Sequence, residues 1–284
     1  LATPWLMRRF GAARVLLAGA LLASGFMAAS GFFTAAGPLL LQRLLAGVAS
    51  AFVFVAGGLL AARLGAQAPQ HAGLLLGLYY GGTGWGISLS ALAVPGLLRA
   101  AADVPHGWSW AWWGLALLCL LATLVLWWPA SILQKSELLA HTGQAPAAHL
   151  IHEPLPWRRM MPALAGYTLF GVGYIGYMTF VIALLREQGV APAAITLFYA
   201  LLGLAVVASA RIWAGLLNRA KGGGALALLN ALLGVATILP ALTRAWPLVL
   251  ASGLVFGGVF LSVVASTTAL VRHNLPQALW ASGI

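Results

Sequence analysis

The chain has 284 residues, of which 62% are hydrophobic and 7% are charged, and its formal net charge is +11. Soluble domains carry about 25% charged residues, so this composition excludes a water-soluble globular protein. The mean hydropathy is +0.97, and apolar runs long enough to cross a bilayer recur along the chain. Runs such as residues 44–62, LLAGVASAFVFVAGGLLAA, lack the alternation of barrel strands, so they predict an all-α membrane protein.

Hydropathy predicts eight full transmembrane spans in chain order. They cover residues 14–33, 38–62, 72–98, 108–131, 161–185, 193–217, 224–243 and 246–271. A ninth span is predicted to begin at Pro276, a favoured first-turn residue, and the chain ends inside it. We therefore expect the sequence to be an internal fragment or to lack both ends.

Basic residues are distributed unequally between the two sets of loops, which predicts the orientation. One set contains Arg8, Arg9, Arg14, Arg63, Lys135, Arg158, Arg159, Arg219, Lys221 and Arg272, whereas the other contains Arg99, Arg186 and Arg244. The richer side is predicted to be cytoplasmic. The positive charge is thus a topology signal, and no nucleic-acid partner is expected. Tryptophans at both ends of span 108–131 fit two interfacial belts.

The polar segment 132–160 lies on the predicted cytoplasmic side and separates two groups of four spans. We expect an N-terminal bundle at 1–131, a linker at 132–160 and a C-terminal bundle at 161–284. Two short cytoplasmic loops resemble each other across these halves, since Arg8 precedes Gly11 as Arg219 precedes Gly222. Parallel repeats of this kind are a transporter architecture, although short Arg–Gly loops are also common.

Arg43 is the most informative single residue, because it lies about five residues inside span 38–62. An ionisable group at mid-helix costs about 2.5–3.5 kcal/mol on insertion scales, so the side chain is expected to face protein or water. It then either binds an anionic group or interacts with a coupling-proton site in a cavity, or it snorkels to the outer headgroups. The second intramembrane arginine, Arg211, lies near the cytoplasmic end of its span and is predicted to contact a gate or headgroups.

Span 72–98 carries small residues on one helical face, which predicts close helix packing. These residues are Gly73, Gly77, Gly81, Gly84 and Ser88. Gly47 in span 38–62 is also predicted to serve helix packing. Tyr80 and Thr83 are predicted to lie near a cavity.

Span 161–185 carries an aromatic stripe at helical spacing. Its members are Tyr167, Phe170, Tyr174 and Tyr177. Such a stripe favours either core packing or a solute-binding wall, and both readings stay open because a buried tyrosine hydroxyl needs a partner. Tyr174 and Tyr177 are the candidates for solute contact.

The ionisable residues argue against several other functions. All four acids lie in loops, so no carboxylate titrates within the predicted spans. The HLIHE stretch at 149–153 lacks the spacing of a helical metal site, and no phosphate-binding loop is present. We therefore expect no metal and no cofactor. Cys119 is read as a small apolar side chain.

Four stretches resemble signatures of the major facilitator superfamily. RRFGAAR keeps the arginine and glycine of the signature loop between the second and third helices, and RIWAGLLNRAKGGG resembles it again. QRLLAGVASA resembles the fourth-helix signature, and GLYYGGTGWG is similar to the fifth-helix signature of exporters, with Gly82 in place of proline. GYTLFGVGYIGYMTF looks closest to the YbfB/YjiJ-like branch.

The resemblance implies a fold of twelve helices, of which the third to the tenth are present here. It also implies that the two loop motifs control conformational change. Their residues are Arg8, Arg9, Gly11, Arg14, Arg211, Asn218, Arg219 and Gly222.

The implied function is secondary or facilitated transport of a small organic solute across a bacterial-type inner membrane, by alternating access. Protons or another ion are the implied coupling partner, and the lipid bilayer is the environment. An arginine and tyrosines without an acid suit neutral or anionic solutes. Two alternatives remain open, which are an integral membrane enzyme and a non-transporting receptor or scaffold.

Overall fold

The computed structural model describes residues 2–68, 71–143, 157–220 and 222–274, and within these residues the chain forms nine α-helices and no strand. The helices are α1 (Ala2–Phe10), α2 (Ala12–Ala29), α3 (Ala36–Gln67), α4 (Ala72–Ala100), α5 (Trp108–Gly143), α6 (Trp157–Glu187), α7 (Pro192–Arg219), α8 (Gly224–Leu242) and α9 (Trp246–Asn274).

The predicted all-α membrane fold is confirmed. Within the described part of the chain, seven helices are long and apolar enough to cross a membrane, and these are α2, α3 and α5 to α9. Helix α4 occupies the place of the remaining predicted span. Its 29 residues correspond to about 44 Å of helix, which is long enough to cross a hydrocarbon layer of about 30 Å.

The segment predicted to be a linker is partly helical. Helix α5 continues to Gly143 and α6 begins at Trp157, so both enter the range 132–160. Between Ala130 and Gly143 the chain carries good helix formers and neither glycine nor proline. The polar residues therefore mark where the helix leaves the apolar layer, not where it ends. The rest of this segment, and the predicted ninth span at Pro276, lie outside the described residues.

The described residues group into two compact units. Unit 1 draws on Leu1–Leu64 and Leu92–Leu150, and unit 2 draws on Gly65–Ala91 and Ile151–Ser282. The sequence places all of span 72–98 with the N-terminal bundle, whereas the first two thirds of α4 group with unit 2. The cause is a close approach of α4 to α7, described below.

In unit 1, the core begins where α1 and α2 meet at Gly11. Gly11 has φ 86° and ψ 151°, a conformation essentially restricted to glycine, and it redirects the chain between the two helices. The start of α2 then packs on α3 through a buried cluster. The cluster contains Ala12, Ala13, Val15, Leu16, Ala56 and Leu60.

In unit 2, α9 is the central helix, with 61% of its most apolar stretch buried. Two glycines on α9 let α7 approach closely, because a methyl group at Gly253 would collide with the Phe198 ring and one at Gly257 with the Leu202 carbonyl. Trp213 of α7 also donates its indole N–H to the Gly258 carbonyl at 2.6 Å. These contacts hold α9 firmly against α7.

Candidate functional site

The first loop motif is built around the α1–α2 junction in unit 1. The Arg9 guanidinium lies 5.4 Å from the Trp5 ring centroid and 5.5 Å from that of Phe10. With the Gln134 amide oriented so that its oxygen faces Arg14, this oxygen accepts hydrogen bonds from Arg14 Nε at 2.8 Å and Nη2 at 2.9 Å. Arg14 thereby joins the start of α2 to α5, and Arg8 is exposed.

The second loop motif covers the C-terminal part of α7 and the turn that follows it in unit 2. Arg211 and Arg219 are exposed, and Arg219 lies in the last turn of α7, where a cation interacts favourably with the helix dipole. Gly222 lies in the short turn before α8, and a methyl group there would meet open space. The side chain of Asn218 lies outside the described residues.

Arg43 belongs to a polar cluster at one end of unit 1. Its Nε donates to Gln42 Oε1 at 2.7 Å and its Nη2 donates to Ser30 Oγ, while Gln42 Nε2 donates to the Phe26 carbonyl. The guanidinium carbon lies 4.5 Å from the Trp112 ring centroid. The cluster therefore links α2, α3 and α5 around an exposed guanidinium, and solute contact by Arg43 stays a prediction.

The glycine face of α4 has one very close contact, with α7 in unit 2. A methyl group at Gly84 would collide with the Gly203 carbonyl, whereas one at Gly81 would lie 3.8 Å from the Val207 backbone, an ordinary contact. Ser88 Oγ donates to the Ala200 carbonyl at 2.9 Å. Gly84, Gly203 and Ser88 thus let two helices approach at backbone distance.

The other predicted packing glycines differ from Gly84. A methyl group at Gly47 would meet open space, so within the described residues Gly47 is not at a close helix crossing. The expectation rested on glycine being small, and a small residue permits close approach without requiring it. Gly77 is partly buried. The burial of Gly73 lies outside what the structure describes.

The aromatic stripe of α6 faces two phenylalanines of α9 and forms what we call the aromatic ladder. It consists of Tyr167, Phe170, Tyr174, Tyr177, Phe256 and Phe260. Ring centroids are 5.0 Å apart between Tyr174 and Phe260 and 4.2 Å apart between Tyr177 and Phe256. Phe170 lies 5.1 Å from Tyr174 and 5.9 Å from Phe260. The ladder is therefore continuous along both helices.

The α9 half of the ladder was not predicted from the sequence. Ser252, Phe256 and Phe260 recur at intervals of four residues, which places them on one helix face. That spacing was a usable signal for a second stripe.

Tyr177 is committed to the protein interior. It is 8% exposed, and its hydroxyl lies 2.8 Å from Ser252 Oγ, which donates its own proton to the Ala236 carbonyl at 2.8 Å. Because Ser252 has a single proton, Tyr177 is the donor to Ser252. Pro240, four residues beyond Ala236, has no N–H to offer this carbonyl. The Tyr177–Ser252 pair therefore satisfies a backbone group that the proline leaves free in the membrane.

Tyr174 and Tyr167 differ from Tyr177, since both are only partly buried. Among the described residues, neither hydroxyl has a hydrogen-bond partner. A phenol in apolar surroundings normally finds one. Tyr174 is therefore the ladder residue whose hydroxyl is available to a bound molecule near the centre of the ladder.

The two candidates on α4 also belong to unit 2. Tyr80 is 9% exposed, its ring centroid is 5.1 Å from that of Tyr79, and its hydroxyl is hydrogen-bonded to the side chain of Thr268 on α9. Thr83 is exposed. Tyr80 is thus held by α9, like Tyr174 and Tyr177, whereas Thr83 is not.

Two grooves between α6 and α8 lie beside the ladder. One, of about 440 Å³, is lined by Tyr177, Thr237 and Glu187 among others. The other, of about 560 Å³, is mostly apolar, with Asn230 and Thr237 as its polar side chains. Within the described ranges, no three His, Cys, Asp or Glu side chains are grouped to hold a metal ion. The HLIHE stretch lies outside the described residues.

Comparison with known families identifies the chain's relatives. The model of the family described as "Uncharacterised MFS-type transporter YbfB" matches residues 3–282. No curated protein and no solved structure matches the chain. The match spans nearly the whole sequence and agrees with the bundle of membrane-spanning helices, so this chain belongs to the YbfB family of MFS-type membrane transporters.

Proposed function

We propose that the protein is a secondary carrier that moves a small organic solute by alternating access, and that Tyr174, which packs against the buried Phe260 ring, forms part of the solute site. Family membership supports membrane transport. Carriers of this general type bind solute near the bilayer midplane. The proposal therefore depends on the depth of the candidate residues.

The depth of the Tyr174–Phe260 pair is the observation that carries the proposal. Phe260 lies 14 residues from each end of α9. Tyr174 lies 17 residues after the start of α6 and 13 before its end. Helices of this length exceed a hydrocarbon layer of about 30 Å at both ends, so their centres lie near mid-depth. An available hydroxyl on a partly buried aromatic ring at that depth is suited to contacting a solute.

The remaining predicted residues take supporting roles in the proposal. Arg43, Tyr80, Thr83 and Tyr177, the last of which lines the groove of about 440 Å³, are further candidates for solute contact. The two arginine-containing loops are candidates for conformational control. The bundles before and after the linker at 132–160 would be the moving parts. The membrane is the bacterial inner membrane, and the cycle is either driven by protons or another ion or runs as facilitated transport.

Transport is tested with the full chain reconstituted in liposomes that are incubated with a metabolite extract. Mass spectrometry of the vesicle contents identifies solutes that enter faster than into protein-free liposomes. We expect at least one such solute, and its entry should fall about tenfold or more in Tyr174→Ala, as expected when an aromatic ring and a hydrogen bond are both lost. Arg43→Ala should also lower the rate while the protein still inserts. Unchanged rates in both variants would reject the assignment of these residues.

The same assay separates transport from the two other functions. An integral membrane enzyme would leave a chemically altered compound in the mixture, and a receptor or scaffold would leave the vesicle contents equal to those of protein-free liposomes. Repeating the assay with an imposed pH gradient tests coupling. Accumulation above the external concentration would indicate proton-driven transport, and equilibration alone would indicate a facilitator.

A further inference from the structure

The predicted cytoplasmic end of unit 1 gathers basic side chains from three helices. Met7 of α1 and Leu133 of α5 pack against the buried cluster at the start of α2. Exposed cations lie within about one helical turn of these contacts. They are Arg8 and Arg9 at the end of α1, Arg14 in the first turn of α2, and Lys135 on α5. We call these four residues the basic cluster.

Two cations of the basic cluster are positioned by neutral groups. Arg14 donates from Nε at 2.8 Å and from Nη2 at 2.9 Å to the side-chain oxygen of Gln134, and the Arg9 guanidinium lies beside the rings of Trp5 and Phe10. An amide oxygen or an aromatic face orients a guanidinium without cancelling its charge. The Nη1 group of Arg14 has no partner among the described residues and keeps its N–H donors for another molecule.

The chain supplies few carboxylates to balance the basic cluster. No acidic residue precedes Asp103 in the sequence, and Asp103 lies before the other end of α5. Glu137 follows Lys135 by two residues, and its side chain lies outside the described residues. Even with Glu137 ionised, four cations and one acid leave a net charge of +3 at this end. This excess attracts an anion from outside the chain.

The basic cluster lies where the apolar helices leave the hydrocarbon layer. The apolar stretch of α5 ends at Lys135, and that of α2 begins at Ala12, two residues before Arg14. Lipid headgroups occupy the region directly outside the hydrocarbon core. Two exposed aromatic side chains, Trp5 and Phe10, lie at the same end, as is usual at this interface. The cations therefore lie at the level of the phospholipid phosphates.

A row of exposed apolar side chains runs from Lys135 towards the middle of α5. Its members lie three, seven, ten and fourteen residues before Lys135, which places them on one helical face, and they are Ile132, Trp128, Val125 and Leu121. Trp128 is 74% exposed and Val125 is 77% exposed. An acyl chain can lie along this row while its headgroup reaches Lys135. The combination of an apolar row and a cationic end fits an anionic amphiphile better than a soluble anion.

We propose that the basic cluster and the α5 row form a binding site for an anionic phospholipid. The phosphodiester oxygens accept hydrogen bonds from Arg14 Nη1 and from the Lys135 ammonium group, and one acyl chain packs along the α5 row. Arg8 and Arg9 add positive charge at the same level. The bound lipid joins the start of α2 to α5. This site is independent of the proposed transport cycle, because the lipid binds without solute flux.

Binding is measured by native mass spectrometry of the full chain in a non-ionic detergent. The probes are dioleoylphosphatidylglycerol, dioleoylphosphatidylcholine, which has the same acyl chains without net charge, and the soluble headgroup glycerophosphoglycerol. We expect phosphatidylglycerol to bind at least about tenfold more tightly than phosphatidylcholine, because each interfacial lysine or arginine contributes about fivefold in affinity. The soluble headgroup at equal concentration should leave the lipid-bound fraction unchanged, because it has no acyl chain.

Four variants locate the site. Gln134→Glu keeps an oxygen acceptor for Arg14 and adds a charge that neutralises it, so it should weaken phosphatidylglycerol binding about fivefold, as should Arg14→Gln and Lys135→Gln. Binding of phosphatidylcholine should not change. Arg99→Gln is the matched control, because it removes the same charge from an exposed position at the other end of unit 1, and it should bind like the original protein. The melting temperature in detergent shows that each variant is folded.

Three results would overturn the lipid site. Equal binding of phosphatidylglycerol and phosphatidylcholine would remove the role of charge. Unchanged binding in both Gln134→Glu and Lys135→Gln, or an equal loss in Arg99→Gln, would show that the attraction is spread over the protein and is not localised at the basic cluster. Displacement of the lipid by glycerophosphoglycerol would assign the cations to a soluble phosphate ester.

Discussion

At the scale of single residues, two glycines with opposite surroundings show why residue type alone does not define a role. Gly11 has a positive φ between α1 and α2. Gly47 lies inside α3, where a methyl group would meet open space. The sequence presents both as glycines of family signatures, and the backbone separates them.

We therefore predict that Gly11→Ala and Gly47→Ala have opposite effects on stability. Gly11→Ala forces an L-residue into a glycine-only conformation and should destabilise the protein by about 1–3 kcal/mol. Gly47→Ala should be neutral or stabilising by up to about 1 kcal/mol, because alanine favours a helix interior. Thermal unfolding of both variants in the same detergent checks this. Equal melting temperatures would contradict the conformational argument.

At the scale of helices, a proline in α8 is matched by a serine in α9. Pro240 cannot donate to the Ala236 carbonyl, and Ser252 does so from the neighbouring helix at 2.8 Å. Hydrogen bonds between membrane helices average about 0.6 kcal/mol, but a buried group left without a partner costs about 1–3 kcal/mol. Removing Ser252 should therefore cost more stability than the average free energy of one interhelical hydrogen bond, because the Ala236 carbonyl would be left without a partner.

We predict that Ser252→Ala destabilises the protein more than Tyr177→Phe does. The first leaves both the Tyr177 hydroxyl and the Ala236 carbonyl unsatisfied, at about 1–3 kcal/mol, whereas the second keeps the Ser252–Ala236 bond. In a Pro240→Ala background, residue 240 regains an N–H, so Ser252→Ala should cost less. A double-mutant cycle on detergent unfolding measures this coupling. An additive cycle would show that the serine does not act on the proline-freed carbonyl.

The crossing of α4 and α7 gives a second prediction at this scale. Gly84→Ala should destabilise unit 2 by about 1–3 kcal/mol through overpacking, because the added methyl group would collide with the Gly203 carbonyl. Gly82→Ala is the matched control, since a methyl group two residues away would meet open space. The melting temperatures of the two variants decide the outcome, and a control that falls as far as Gly84→Ala would contradict the crossing.

The sequence predicts helices far better than it predicts their partners. Hydropathy, together with Gly and Pro positions such as Pro192 at the start of α7, locates α2 to α9 closely. Helical periodicity also placed Tyr174 and Tyr177 on one stripe. Periodicity did not show that the Tyr177 hydroxyl is hydrogen-bonded within the protein whereas the Tyr174 hydroxyl is not. That difference depends on Ser252, which lies on another helix. In uniformly apolar spans, nothing local specifies which faces meet.

At the scale of the whole molecule, the distribution of arginine and lysine predicts the orientation. The loop ends of α4 and α5 near residue 103 belong to the side with few basic residues, and the end of α5 near Lys135 belongs to the richer side. Cys119 is the only cysteine in the sequence. A Cys119→Ala background therefore allows single-cysteine labelling.

We predict that Lys135→Cys in this background reacts with a membrane-impermeant maleimide only from the cytoplasm. Asp103→Cys should react only from outside, because the side rich in lysine and arginine remains inside. Labelling of intact cells and of inverted vesicles provides the comparison. A reversed pattern would invert the proposed topology, and labelling of both sites from one side would place an even number of crossings between them.

The grouping of the described residues into two compact units depends on contacts between helices that are far apart in sequence. The linker predicted at 132–160 suggested a single boundary in sequence, whereas residues 65–91 group with unit 2. The reason is the contact of Gly84 and Ser88 with α7. Helices that are neighbours in sequence are expected to pack together. Here a close contact between small residues of α4 and α7, which are far apart in sequence, groups these two helices instead.

The indole hydrogen bond from Trp213 to Gly258 provides an intrinsic optical reporter of the aromatic ladder. Gly258 lies two residues before Phe260, so this fluorophore is anchored within one helical turn of the central pair of rings. A solute that binds beside Tyr174 and absorbs in the range of tryptophan emission would quench the Trp213 emission by energy transfer. Occupancy could then be followed in real time by comparison with Trp213→Phe, without attaching a dye.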